Sequence, residues 1–226
     1  MASPPNSNPD RRPIAARNWR VSNAIAVWLV SRGVSANAIS MFGMVCGVFA
    51  GGALALTAMT TDVRPFLWLL GAGLILVRLL ANMLDGMVAI AAQTASPVGD
   101  LYNEVPDRIS DAATLIGLGY AAGGHMVLGC LAALAAVFTA YMRTLGRTAG
   151  APQDFCGPMA KPQRMHAVIL VALVSALLPE GWQAQVLDLV GLGIAALGLV
   201  VILAGSMLTS IRRLLHAAAY LRKSHA

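Results

Sequence analysis

Residues 66–111 read FLWLLGAGLILVRLLANMLDGMVAIAAQTASPVGDLYNEVPDRISD. The first part, Phe66–Met83, is eighteen residues long and broken only by Arg78 and Asn82. A helix needs about 20 mostly apolar residues to cross a bilayer, so this run reads as most of one span. The second part holds five of the chain's ten acidic residues: Asp85, Asp100, Glu104, Asp107 and Asp111. Charges at the end of a membrane helix are costly to place and usually mark function.

The rest of the chain agrees with a membrane protein. Of 226 residues, 58% are hydrophobic and 12% charged, with mean hydropathy +0.70. Soluble domains carry roughly 45–50% apolar and about 25% charged residues, so too little polar surface exists here to coat a water-soluble globule. The expected fold class is an all-α integral membrane protein. Six spans are expected, at Ala36–Met59, Pro65–Ala91, Pro97–Ala122, His125–Arg147, Gln163–Leu178 and Val186–Ser210. Arg17–Ser31 mixes Arg17, Asn18 and Arg20 with Ile25, Val27, Trp28 and Leu29, which reads as an amphipathic helix lying in the interface. The organisation expected is a disordered cytoplasmic tail over 1–15 and an interfacial helix over 16–33. A six-helix catalytic domain over 34–211 and a basic cytoplasmic tail over 212–226 complete it. The Pro-, Ser- and Asn-rich head reads as that tail and not as a cleaved signal peptide.

Orientation follows from the basic residues, which are retained on the cytoplasmic side near span ends. Arg11, Arg12, Arg17, Arg20 and Arg32 precede the first span, and Arg143, Arg147, Lys161 and Arg164 flank the fourth connection. Arg212, Arg213, Arg222 and Lys223 follow the last. The other side carries only Arg64, with Asp62 and Glu180. Both termini are therefore expected in the cytoplasm, and the size and composition suggest a bacterial inner membrane. The net charge of +6 points to anionic membrane lipids as partners. No basic face with interleaved aromatics suggests nucleic acid.

Helical geometry gathers the acids. Residues three and four apart share a face, which places Arg78, Asn82, Asp85, Gly86 and Ala89 in one stripe. On the next helix Asp100, Asn103, Glu104, Asp107 and Asp111 fall within about a 100° arc. Ser96 and Pro97 suit the cap and first turn of that helix. The two stripes should face each other, with Gly86, Ala89 and Gly99 leaving room for a ligand. Carboxylate and amide oxygens without His or Cys suit magnesium, manganese or calcium. Such an ion would grip a nucleotide's phosphates, and a free carboxylate could take a proton from an attacking hydroxyl. Pro106 removes a helical hydrogen bond and favours a kink.

The segments Asn82-Met-Leu-Asp85-Gly86-Met-Val-Ala89-Ile90 and Gly99-Asp-Leu-Tyr-Asn103-Glu-Val-Pro-Asp107 resemble the signature of the CDP-alcohol phosphotransferase family. That signature reads D-x-x-D-G-x-x-A-R, a short spacer, then G-x-x-x-D-x-x-x-D. Gly33-Val-Ser-Ala-Asn37-Ala-Ile-Ser40 resembles the segment that often precedes the family's first span. Three positions depart from the pattern: Asn82 and Asn103 stand where the family has Asp, and Ile90 where it has Arg. The resemblance implies six spans after an interfacial helix, and a homodimer. It implies a divalent metal, magnesium or manganese, as one or two ions on Asn82, Asp85, Asn103 and Asp107. Asp107 would be the general base, while Asp85, Gly86, Ala89 and Gly99 would bind the nucleotide. Asp100, Glu104 and Asp111 are auxiliary acids that could restore the missing charge.

The expected activity is transfer of a phosphatidyl or related group from a CDP-linked donor to a small alcohol, with release of CMP. CDP-diacylglycerol is the expected donor, because the acids lie at the membrane boundary. Arg143, Lys161 and Arg164 could hold a phosphate on the acceptor or on a lipid. The alternative is a catalytically inactive relative that binds nucleotide-lipid or metal as a partner subunit. A transporter reading fails for lack of repeated halves and of acids at the bilayer midplane. Cys46, Cys130 and Cys156 are expected to be too scattered for a disulfide scaffold or zinc site, and His125, His166, His216 and His225 share no ligand spacing. The glycines of Gly191–Gly198 read as close helix packing.

Overall fold

The computed structural model describes residues 19–94 and 97–224, with the side chains of 97, 98, 100, 184, 185, 187 and 188 outside that description. The expected tail over 1–15, the first residues of the interfacial helix and the Ser96 cap therefore lie outside the described residues. What is described is helical and without strands: α1 Arg20–Ser31, α2 Ala36–Leu56, α3 Arg64–Ala91, α4 Pro97–Tyr120, α5 Met126–Thr148, α6 Lys161–Leu177, α7 Glu180–Val190 and α8 Ile194–Ser224.

Four of these, α2, α3, α5 and α8, are long and apolar enough to cross a membrane. The two other expected spans exist as helices but differ in kind. The first half of α4 carries the acid cluster and Arg108, and α6 has 17 residues, short of the usual span. The last helix also begins later than its apolar run suggests. Gly191, at φ +73°, turns the chain between α7 and α8, so the expected start at Val186 moves to Ile194. At its other end α8 continues through Arg212, Arg213, Arg222 and Lys223.

Helix α2 packs on α3 and α4, α5 on α4 and α8, and α6 on α3 and α8. One core runs through them, built from Trp68, Leu54, Leu115, Leu118, Met165, Leu199 and Ile202. The crossing of α2 and α4 needs glycine on both sides: a Cβ on Gly117 would collide with the Gly51 carbonyl oxygen, and one on Gly47 with Ser110. Gly193 meets Gly123, and Gly198 meets Val171, while Gly191 serves the turn. The outward faces of α2 and α3 carry Phe42, Val45, Phe49, Phe66 and Leu69 exposed.

Helix α1 buries Ser22 and Ala26 against α3, within a second cluster of Ile39, Ala81, Met83, Met87 and Val88. Its other side exposes Val21, Ile25, Val27 and Trp28, and the Arg32 guanidinium lies 5.4 Å above the Trp28 ring. One side of α1 is thus packed and the other left exposed. The Ser35 hydroxyl then accepts from the Ala38 amide at 3.2 Å, capping α2. At one end of the bundle, Arg64 donates to Glu180 (2.7 Å) and to the Thr57 carbonyl (2.9 Å). The three charged side-chain positions expected opposite the basic side thus include a pair that meets there.

Candidate active site

The stripe on α3 and the stripe on α4 do face each other. Asp85 is 3% exposed; Ser40 donates to its Oδ2 at 2.7 Å and Asn103 Nδ2 donates to the same oxygen at 2.9 Å. Its Oδ1 accepts from the Gly86 amide at 2.5 Å. Asp107, about one turn past Asn103, receives Asn82 Nδ2 on both oxygens at 3.1 and 3.2 Å. Arg78 reaches Asp107 Oδ1 at 3.3 Å, and the Lys161 ammonium pairs with Oδ2. Each asparagine that departs from the family signature therefore holds the aspartate of the opposite helix. Ser40, Gly43, Arg78, Asn82, Asp85 and Asp107 line a small cavity of about 10 Å³ for a water-sized sphere. That is room for about one water.

Asp111 sits one turn deeper, 1% exposed, between two buried arginines. Arg78 Nη2 donates to its Oδ1 at 2.5 Å and Arg164 Nη2 to its Oδ2 at 3.2 Å. Arg78 is further tied to Ser110 Oγ (2.9 Å) and the Asp107 carbonyl (3.1 Å), and Arg164 to the Met159 carbonyl (2.8 Å). Arg78 Nη1 and Arg164 Nε are buried without a hydrogen-bond partner among the described residues. An unpaired buried donor costs about 1–3 kcal/mol unless a ligand completes it.

Glu104 turns aside from the cavity. It accepts from Arg108 (2.6 Å) and from Arg143 (2.5 Å), and Arg143 also lies 5.6 Å from the Phe155 ring. The side chain of Asp100 is outside the described residues. Gly86, Ala89 and Gly99 are half-buried at the end of α3 and the start of α4. Helix α3 stops there with Gln93 at φ +54° and the Thr94 amide on the Ala89 carbonyl, a left-handed stop that usually takes glycine or asparagine. Ser40 and Ser110 are site residues that spacing alone did not single out. Ser40 lies on α2, and only the packing of α2 against α3 brings it to Asp85.

The donor set suits a hard divalent ion. Asp85 and Asp107 offer carboxylates, Asn82 and Asn103 offer amide carbonyls after a simple flip, and no His or Cys lines the cavity. Two carboxylates with two neutral ligands carry less charge than four acids would, and Lys161 already neutralises part of it.

One correction concerns the cysteines and histidines. The cysteines are expected to be too scattered for a zinc site and the histidines to share no ligand spacing, yet Cys156 and His216 meet Asp154 at a second place. They come from the α5–α6 connection and from α8, sixty residues apart in sequence.

These features define a helical protein with a buried Asp–Asn cluster between consecutive helices. The fold is similar to that of Mycobacterium tuberculosis phosphatidylinositol phosphate synthase (PgsA1). Its crystal structure with CDP-DAG bound aligns at TM-score 0.67 and 22% identity, covering 88% of this chain and 94% of that one. The complex with manganese and citrate aligns at TM-score 0.68 and 22% identity, covering 87% and 88%. In sequence the chain is 28% identical over 156 residues to inner membrane protein YnbA of Escherichia coli (strain K12), covering 69% of this chain and 75% of that protein. No family model matches the chain.

Proposed function

We propose that this protein is a membrane transferase that moves a phosphatidyl group from a CDP-linked lipid to a small alcohol, releasing CMP. The observation that carries the reading is the convergence of Asp85–Asn103 and Asp107–Asn82 around one cavity, beside unpaired donors of Arg78 and Arg164. Its setting adds support, since solved structures of this fold include one with CDP-DAG and one with manganese. CDP-diacylglycerol is the donor we assign, and a bacterial inner membrane, with six spans and both termini cytoplasmic, is the location.

Asn82, Asp85, Asn103 and Asp107 would hold magnesium or manganese, which would offset charge on the donor's diphosphate. Gly86, Ala89 and Gly99 would admit the cytidine end. The acceptor oxygen forms a bond to the phosphorus that carries the lipid, and the bond from that phosphorus to CMP breaks. The hydroxyl proton passes to Asp107. Lys161 covers one oxygen of Asp107 in this structure, so it must move aside before that oxygen accepts a proton. Lys161, Arg164 and Arg143 lie on the acceptor side, where a phosphate would give their cations a further partner.

A second reading is favoured by the same asparagines: a non-catalytic relative that grips nucleotide-lipid or metal. The experiment is CMP release from CDP-diacylglycerol by the purified protein, with magnesium or manganese and pooled alcohols. Metal-dependent release is expected, and Asp107→Asn should lower it about 10²–10⁴-fold. Release unchanged in that variant removes Asp107 as the base. Donor binding without release supports the second reading.

A further inference from the structure

Between α5, the α5–α6 connection and α8 lies a cleft of about 250 Å³, lined in part by Arg143, Gln153, Asp154, Arg213, His216 and Tyr220. Three side chains of different chemistry converge at its edge. Asp154 Oδ2 lies 3.0 Å from Cys156 Sγ and 3.0 Å from His216 Nδ1, and those two atoms are 3.5 Å apart. We propose that Asp154, Cys156 and His216 form a transition-metal site, for zinc above all, distinct from the α3–α4 cavity.

The donor chemistry selects the ion. A thiolate, an imidazole nitrogen and a carboxylate oxygen are zinc ligands, whereas magnesium and manganese favour oxygen alone. Spacing agrees. Zinc ligands at roughly 2.0–2.3 Å from a tetrahedral centre lie roughly 3.3–3.7 Å from one another. The triangle here needs to open by only a few tenths of an ångström. Three protein ligands leave a fourth position, which the adjoining cleft can supply with water or another ligand.

The triangle is held from behind. Asp154 Oδ1 accepts from the Cys156 amide at 2.7 Å, and the Cys156 carbonyl accepts from Arg213 Nε at 3.1 Å. Arg213 in turn donates to the Thr139 carbonyl at 2.8 Å, tying the connection to α8 and α5. Gly157 follows at φ +114°, where a Cβ would strike Thr209, so the turn after Cys156 is set by glycine. The Cys156 thiol proton is donated to Asp154 Oδ2 in a hydrogen bond. On binding, that proton leaves to solvent, Cys156 ligates as thiolate, and His216 ligates through Nδ1 with its proton on Nε2. The ion would staple the connection to α8 five residues before Lys161, the residue that reaches Asp107.

Cobalt(II) is the probe, titrated into the full chain in lipid nanodiscs with magnesium in excess. We expect one ion per chain, with a thiolate-to-cobalt charge-transfer band and the intense visible bands of four-coordination, both removed by zinc. Cys156→Ser should abolish the charge-transfer band. His216→Gln, at an exposed position, should keep the band and weaken binding at least about tenfold, because even outer partners of metal sites are worth about 10–100-fold. Asp107→Asn should leave the titration unmoved. No band with cobalt in excess, a band that survives Cys156→Ser, or an affinity unmoved by His216→Gln overturns the site. Each variant's elution as a single species by size exclusion guards against reading misfolding as lost binding.

Discussion

Two places in this molecule gather metal-binding side chains, and they are built in opposite ways. The α3–α4 site draws Asn82, Asp85, Asn103 and Asp107 from two consecutive helices, buries the two aspartates, half-buries the two asparagines, and surrounds them with Arg78, Lys161 and Arg164. Asp154, Cys156 and His216 come from a connection and a distant helix, and sit beside an open cleft. The first offers oxygen ligands only and lies mostly below the surface. The second mixes sulfur, nitrogen and oxygen at the surface. A cluster within successive helices is specified by their 3.6-residue period, whereas a cluster between a loop and a helix depends on how the loop docks. Chemistry separates them too: oxygen ligands suit a hard ion, and a thiolate with an imidazole suits a transition metal.

The largest expected effect falls on the α3–α4 side. Asp111 is the sole carboxylate between Arg78 and Arg164 in the described structure, so Asp111→Ala leaves two buried guanidinium groups short of their partner. Breaking a buried pair costs about 3–5 kcal/mol, and urea or thermal unfolding in detergent should show a loss of that size. A loss below about 1 kcal/mol would mean that water reaches the cluster. Gly117→Ala comes next. Its Cβ meets the Gly51 backbone, so α2 and α4 must separate, at about 1–3 kcal/mol, and Ser40 should be drawn away from Asp85. Calorimetry together with magnesium affinity tests both halves of that statement.

The double variant Asn82→Asp, Asn103→Asp sharpens the comparison directly. Two added charges should raise divalent affinity at the α3–α4 cavity by about tenfold, roughly 1.4 kcal/mol, and leave cobalt binding by Cys156 unmoved. CMP release that appears only in this variant would mark the natural protein as the non-catalytic relative. The smallest effect is expected of Cys156→Ser in the presence of chelator. The thiol makes weak contacts at a half-exposed site, so unfolding should shift by less than about 1 kcal/mol. A larger loss would mean that the triangle carries the loop's fold without any ion.

Much of the α3–α4 site was legible in the residues. The apolar runs located α2 to α6 closely as helices, because long runs of apolar residues at helical period leave few other readings. The stripe Arg78–Asn82–Asp85 and the stripe Asn103–Asp107–Asp111 were readable from spacing, and both line the observed network. Partner choice was not readable. That Glu104 pairs with Arg108 and Arg143, while Asp111 takes Arg78 and Arg164, depends on where α5 and α6 lie against α4. Ser40 was likewise hidden, since a hydroxyl on an apolar helix has no periodic signature of its own. The break at Gly191 escaped hydropathy because α7 and α8 are both apolar where they meet.

The sequence by itself determined the helical class, the polar stripes of α3 and α4 and the kind of ion their oxygens suit. These depend on composition and on a period that each helix carries within itself. Only the tertiary structure decided that Lys161 covers Asp107, that two arginines share Asp111, and that Cys156 and His216 meet across sixty residues. Those contacts are set by the docking of α5, α6, α8 and their connections, and docking is chosen by the shape of whole helix faces, which no local spacing records.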